Sequence, residues 1–209
     1  MQRRRLIPQI CSLLVTTFLI ATNVHSAATI GQKAPDFTLR DTAGKSVSLA
    51  DFKGKTVVLE WLNPGCPYVR KHYSGGNMQS TQKDAASKGV VWLAINSTDT
   101  EHPDYLKPAA LQAWMGEQKA AASHTLMDES GKAGQAYAAR TTPHMYIVNP
   151  QGTLVYAGGI DSIPSASASD IKAATNYIKV ALAETAAGKP ISAAQTRPYG
   201  CSVKYKSAM

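Results

Sequence analysis

Thr56-Val-Val-Leu-Glu-Trp-Leu-Asn-Pro-Gly-Cys-Pro-Tyr-Val69 sets the frame for the residues around it. Val57 to Leu62 is a mostly apolar run of strand length, of the kind buried on both faces of a sheet. Pro64-Gly65 ends it, and Cys66-Pro67 opens the next segment. A proline fits a helix's first turn because the N–H it lacks would be unpaired there anyway, so a helix is expected from about Pro67. A cysteine at such a junction faces unpaired N–H groups and the positive end of the helix dipole. Both favour thiolate, the reactive form of the side chain. The chain therefore reads as a thiol protein.

On the amino-terminal side, Phe37-Thr38-Leu39 and Ser46-Val-Ser-Leu49 flank Asp41-Thr-Ala-Gly44, a hairpin pattern. On the carboxy-terminal side, Ser74-Gly75-Gly76 interrupts the expected helix, and a second helical piece runs from about Asn77 to Ser87. Val90 to Ile95 reads as another strand. Pro108 opens a helix to about Ala121, with Leu111, Trp114 and Met115 at helical spacing. His124 to Met127 reads as a short strand and Lys132 to Ala139 as a short helix. Met145 to Val148 and Leu154 to Ala157 flank the turn Asn149-Pro-Gln-Gly152. Apolar residues at 171, 174, 178, 181 and 182 indicate an amphipathic helix over Ile171–Ala186, closed by Gly188 and Pro190. Strands alternating with helices, then a hairpin and a last helix, imply an α/β sandwich with a central mixed sheet. The three tryptophans, Trp61, Trp92 and Trp114, read as core or pocket lining. The segment 191–209 has little periodicity and nothing in it that reads as a core element.

Residues 1–26 begin Met-Gln-Arg-Arg-Arg, continue with an apolar stretch from Leu6 to Ala21, and end in small and polar residues. This is the pattern of a secretory signal peptide, with cleavage expected after Ser26 or, alternatively, Ala28. The apolar part is short for a membrane span and is broken by Gln9, Thr16 and Thr17. Loss of this leader removes three arginines and Cys11, and lowers the formal charge from +8 to about +5. That charge is thinly spread, so no nucleic-acid partner is expected. No membrane association is expected after cleavage, and the product is placed in the periplasm or outside the cell. Two of the three cysteines remain, Cys66 and Cys201, an even pair that an exported protein can oxidise. The division expected is a leader at 1–26, one domain at 27–190 and a cysteine-bearing tail at 191–209.

Ala34-Pro-Asp-Phe-Thr-Leu39, the strand-to-Cys66 junction and Thr141-Thr-Pro-His144 before a strand resemble, in that order, the thioredoxin-like superfamily. Within it they resemble the redoxin branch, the alkyl-hydroperoxide-reductase/thiol-specific-antioxidant proteins. Gly65-Cys-Pro-Tyr-Val-Arg-Lys-His-Tyr73 and Tyr199-Gly-Cys-Ser-Val-Lys-Tyr205 are similar to exported bacterial redoxin-domain proteins with one cysteine at the fold's usual site. The resemblance implies a thioredoxin-like three-layer sandwich over residues 30 to 187. It implies a cis Thr142-Pro143 bond facing Cys66, with Thr142, Pro143 and Pro67 offering surface to a bound client. It also places Glu60 where thioredoxins keep a buried acid beneath the active site. A buried acid's pKa rises, which suits proton transfer during exchange; a strand glutamate that reaches an edge or pairs with a lysine is the other reading.

Two departures from the resemblance bear on activity. The position three residues after Cys66, where thioredoxins carry a second cysteine, is Val69. Peroxiredoxins place Thr or Ser and Pro where this chain has Asn63 and Leu59, and their peroxidatic cysteine also aligns with Val69. Three functions stay open. The first is thiol–disulfide exchange with Cys66 as nucleophile and Cys201 as distant resolving partner, acting on a thiol or disulfide client and recharged by a reductant. The second is a thiol peroxidase. The third is a redox-inert binding module with Cys66–Cys201 as a structural disulfide. Arg70, Lys71 and His72 could lower the pKa of Cys66, though three basic residues in a row more often form a solvated face. No cofactor and no metal are expected: His72, His102, His124 and His144 are scattered, and one local cysteine makes a poor copper site.

Overall fold

The computed structural model describes residues 27–206. The expected leader, with Cys11, lies outside the described residues. Among those described, no helix is long and apolar enough to cross a membrane.

Strand β1 (Thr38–Asp41) and β2 (Ser46–Ser48) form the expected hairpin, and a 3-10 turn at Leu49–Phe52 follows. Next come β3 (Val57–Trp61), helix α1 (Pro67–Ser74), α2 (Asn77–Ser87) and β4 (Val91–Asn96). Helix α3 (Pro108–Glu117) leads to β5 (His124–Met127) and α4 (Lys132–Ala136). The two-residue β6 (Thr141–Thr142) precedes β7 (His144–Val148), β8 (Leu154–Gly158), α5 (Tyr177–Ala186) and the short β9 (Cys201–Ser202). Seven strands make one sheet in the order β2-β1-β5-β4-β3-β7-β8. β3 lies parallel to β4 and antiparallel to β7, so the sheet is mixed, as expected.

Side chains alternate across a strand, so β3 and its neighbours feed two cores. Val58, Leu62, Trp92, Ala94, Met145 and Ile147 face Val69 and Tyr73 of α1, with Met78, Leu111 and Ile178 from α2, α3 and α5. Val57, Leu59, Trp61, Leu93, Tyr146 and Val148 face Phe37, Leu49 and Ala133 on the other side. The result is three layers, with β3 an interior strand between β4 and β7 and its carboxyl end leading to Cys66.

Two expectations need correction. The amphipathic pattern over Ile171–Ala186 is not one helix: Ala168–Lys172 is a 3-10 turn, and α5 starts only at Tyr177. Asn176 caps it, accepting from the Lys179 amide at 3.0 Å and donating to Asn77 Oδ1 and Thr81 Oγ1 of α2. An asparagine so engaged gives the backbone a better alternative to continuing the helix. The tail is also far from loose. Ala157 donates to Ala194 O at 3.0 Å and accepts from the Thr196 amide at 3.2 Å, while β9 pairs antiparallel with β6. A Cβ on Gly158 would sit 2.7 Å from Thr196 O, so only glycine lets the tail lie this close to β8.

Candidate active site

The loop Asn63–Gly65 sets the entry of α1. The Asn63 Oδ1 accepts from the Gly65 amide at 2.7 Å, its backbone carbonyl accepts from the Cys66 amide at 3.0 Å, and its Nδ2 donates to Asp104 Oδ2 at 3.3 Å. Cys66 is the N-cap residue of α1 and Pro67 its exposed first helical residue. The Cys66 carbonyl accepts from the Val69 and Arg70 amides, leaving the side chain free to point away from the helix. Val69 lies fully in the core.

The Thr142-Pro143 bond is cis, as the resemblance implies. The Cys66 Sγ donates to the Thr142 carbonyl at 3.0 Å. Thr142 is also the register partner of Cys201 across the β6–β9 ladder. The two cysteines, 135 positions apart in the chain, thus converge on one residue, and both are free thiols here. Cys66 lies within hydrogen-bonding reach of Cys201, whose pKa is pushed up to about 11, first by burial and then by Cys66 itself. Cys66 is only 2 % exposed, and Thr142 is equally buried, its hydroxyl without a hydrogen-bond partner.

Glu60 is wholly buried on the helical side of β3 and meets no lysine. Three neutral donors hold it: Trp92 Nε1 at 2.7 Å and Gln82 Nε2 at 3.2 Å on Oε2, and the Tyr73 hydroxyl at 2.9 Å on Oε1. This removes the edge and lysine-pair readings. Burial raises its pKa from 4.5 to about 7, and the three hydrogen bonds oppose that rise. Tyr73 lies on α1, so the carboxyl is tied to the helix that Cys66 caps.

The basic run behaves differently from expectation. Arg70 is exposed and donates to the Pro64 carbonyl at 2.8 Å, but Lys71 and His72 are buried. The Lys71 Nζ donates to Asp161 Oδ2 at 3.3 Å, to the Ile163 carbonyl at 3.0 Å and to the Tyr199 hydroxyl at 3.3 Å. His72 Nδ1 accepts from Asn77 Nδ2 at 2.8 Å, which leaves Nε2 to donate to the Tyr199 hydroxyl at 3.1 Å. Tyr199 in turn donates to Asp161 Oδ1. Burial lowers the His72 pKa to about 4, so the ring is neutral near pH 7 and every polar atom of the cluster has a use. A solvated face is ruled out because these two residues point from α1 towards the tail.

Tyr199, Asp161 and Gly200 were not singled out from the sequence as site residues, although Tyr199-Gly200-Cys201 carried part of the resemblance. Nothing local marks Asp161, which lies 90 residues from Lys71. Of the remaining histidines, His124 pairs with Asp41 at 3.4 Å, and His144 is buried behind Pro143 against Tyr146. Among the described residues no three of His, Cys, Asp or Glu gather as a metal-binding group.

A mixed sheet flanked by helices, with a cysteine capping the first helix opposite a cis-proline, defines a thioredoxin-like protein. The chain belongs to the AhpC/TSA family, whose model matches residues 30–157. It is 26 % identical over 161 residues to the thiol-disulfide oxidoreductase ResA of Bacillus subtilis, an alignment covering 74 % of this chain and 84 % of that protein. A crystal structure of an uncharacterized conserved protein from Geobacillus kaustophilus superposes with a TM-score of 0.73 at 28 % identity, over 87 % of this chain and 94 % of that one. The thioredoxin domain of a thiol-disulfide oxidoreductase from Bacteroides vulgatus gives a TM-score of 0.50 at 28 % identity, over 63 % of this chain and 89 % of that one.

Proposed function

We propose that this chain is an exported thiol–disulfide oxidoreductase in which Cys66 is the nucleophile and Cys201 the resolving cysteine. The observation that carries the reading is the meeting of both cysteines at Thr142, within hydrogen-bonding reach of each other. The similarity to a thiol-disulfide oxidoreductase over most of the chain supports the same chemistry. Export rests on the basic, apolar and small-residue order of residues 1–26.

The Cys66 thiolate attacks one sulfur of a client disulfide, and the other client sulfur leaves as a thiolate. Cys201 then loses its proton and attacks Cys66 Sγ, forming the Cys66–Cys201 disulfide and releasing the second client thiolate. The client gains two electrons and the protein loses two, which a dithiol or thiol reductant returns. Glu60, with a pKa near 7, can hold or give up a proton at neutral pH. The exposed Pro67 supplies client-facing surface, and Thr142 and Pro143, buried in this structure, join it when the paired tail strand moves aside.

The test is a pair of variants assayed on a model disulfide. Cys66→Ser should abolish turnover, and Cys201→Ser should stop after one exchange, with the client trapped on Cys66. Normal turnover by Cys201→Ser would remove the resolving role. Membership of the AhpC/TSA family favours peroxide reduction as the second reading. Rapid peroxide consumption with sulfenic acid at Cys66, and no disulfide reduction, would select it. Silence in both assays would leave a binding module with a structural disulfide.

A further inference from the structure

We propose that the Tyr199 phenol is a latch that keeps the carboxy-terminal strand over Cys66, in the place a client's backbone must take. The proposal rests on thiol exchange at Cys66 and concerns how that site is opened.

Attack on a client requires a second sulfur to approach Cys66 Sγ, which is almost wholly enclosed in this structure. The cover is the tail itself. Cys201 pairs with Thr142, the residue whose carbonyl also receives the Cys66 thiol. Gly200 presses so closely that a Cβ there would lie 2.0 Å from Thr142 O, and it takes a φ of +139° that other residues rarely adopt. The exposed edge of β6, which an extended peptide could join, is thereby already occupied by the chain's own residues.

This short strand is fastened on both sides. Beyond Cys201, the Tyr205 hydroxyl donates to the Ala139 carbonyl at 2.8 Å, and the Lys204 carbonyl accepts from the Asp99 amide at 2.7 Å. These are neutral bonds at a half-buried surface. Before Cys201, Tyr199 is enclosed by charge: its hydroxyl donates a hydrogen bond to Asp161, Lys71 and His72 donate to its oxygen, and the Lys71 ammonium lies 5.4 Å from its ring centre. Hydrogen bonds to charged groups are the stronger kind, so this end holds the strand. Lys71 and His72 sit on α1, so the catch is built on the nucleophile's own helix. A cavity of about 490 Å³, lined by Thr141, Asp161, Ser162, Tyr177 and Arg197, adjoins Tyr199 and gives a released tail room to move.

The experiment measures iodoacetamide alkylation of reduced full-length protein, with Cys66 and Cys201 followed separately by peptide mass. Tyr199→Phe should speed alkylation of Cys66 by about tenfold or more, since losing even one of its hydrogen bonds to charged groups brings that factor to an opening equilibrium. Gly200→Ala, which forces the strand off Thr142 without touching the latch, should do the same. Tyr205→Phe, at the other fastening, should leave the rate near that of the parent. Far-UV circular dichroism checks that each variant is folded, and Gly200→Ala decides whether the strand is a cover should Tyr199→Phe fail to fold. A parent-like Cys66 rate in Gly200→Ala, or in a folded Tyr199→Phe, overturns the proposal, as does equal acceleration in Tyr205→Phe. Alkylation needs no client, so a Cys66 rate that the variants leave unchanged, in a parent that reduces disulfides, sinks the latch alone. Faster alkylation in the variants, in a parent that reduces no disulfide, sinks the exchange reading instead.

Discussion

Replacing Glu60 by glutamine should flatten a pH dependence of stability that the wild type carries in its core. The native carboxyl has a pKa near 7 because burial disfavours its charge, whereas an unfolded glutamate titrates near 4.5. A group whose pKa is higher in the folded state adds stability that is fully present below the unfolded value. That stability is lost as pH rises through the folded value. The window is therefore pH 4.5 to 7. At about 1.4 kcal/mol per pH unit, the displacement is worth about 3 kcal/mol. Glutamine cannot ionise, and its one oxygen can keep the acceptor that Trp92 and Gln82 share only by turning its amide on the Tyr73 hydroxyl, which loses its acceptor. Glu60→Gln should consequently be the less stable protein at pH 4.5 and lose that deficit, or reverse it, by pH 8. Urea unfolding of both reduced proteins at the two pH values reads the difference of differences, in which all other titrating groups cancel. Parallel profiles for the two proteins would refute the buried-charge argument. Turnover of a model disulfide supplies a second readout: a rise or fall centred near pH 7 in the wild type should vanish in the variant.

Lys71→Met should cost about 3–5 kcal/mol in urea unfolding, because it strands the buried Asp161 carboxylate, while Lys179→Met, which breaks a surface pair with Asp84, should cost less than about 1 kcal/mol. His72 acts opposite to Glu60. Its folded pKa of about 4 lies below the ordinary 6.5, so its share of stability is present above pH 6.5 and lost as pH falls towards 4; His72→Gln should remove that acid loss in the same urea measurement. Gly158→Ala drives a methyl into the Thr196 backbone and should lower the melting temperature by several degrees, with scanning calorimetry as the check.

Much of the frame was legible in residue order. Strand β3, the break between α1 and α2 at Gly75-Gly76, and β5 at His124–Met127 fall where apolar runs and glycines put them. These are local features, set by periodicity and by backbone freedom within a few residues. Glu60 was visible as an acid in an apolar strand, but its partners come from α1, α2 and β4, so only packing could decide between an edge, a lysine pair and a sealed carboxyl. Lys71 and His72 show the limit best. A run of three basic residues normally means solvent, and the reading changes only because Asp161 and Tyr199 arrive from 90 and 128 positions away to enclose the charge.

The chain's linear order was sufficient to establish a helix-capping cysteine at the end of an interior strand and a second thiol in the tail, while the proline loop that faces the cysteine followed only from the resemblance to a known superfamily. It could not establish that the tail is a strand, that Cys201 shares Thr142 with Cys66, or that a buried ion cluster ties it down. A two-residue strand has no periodicity of its own. Its place is set by backbone groups on β6 left open for pairing, by a glycine that permits contact, and by desolvated charges that need one another, and all three exist only once distant segments have come together.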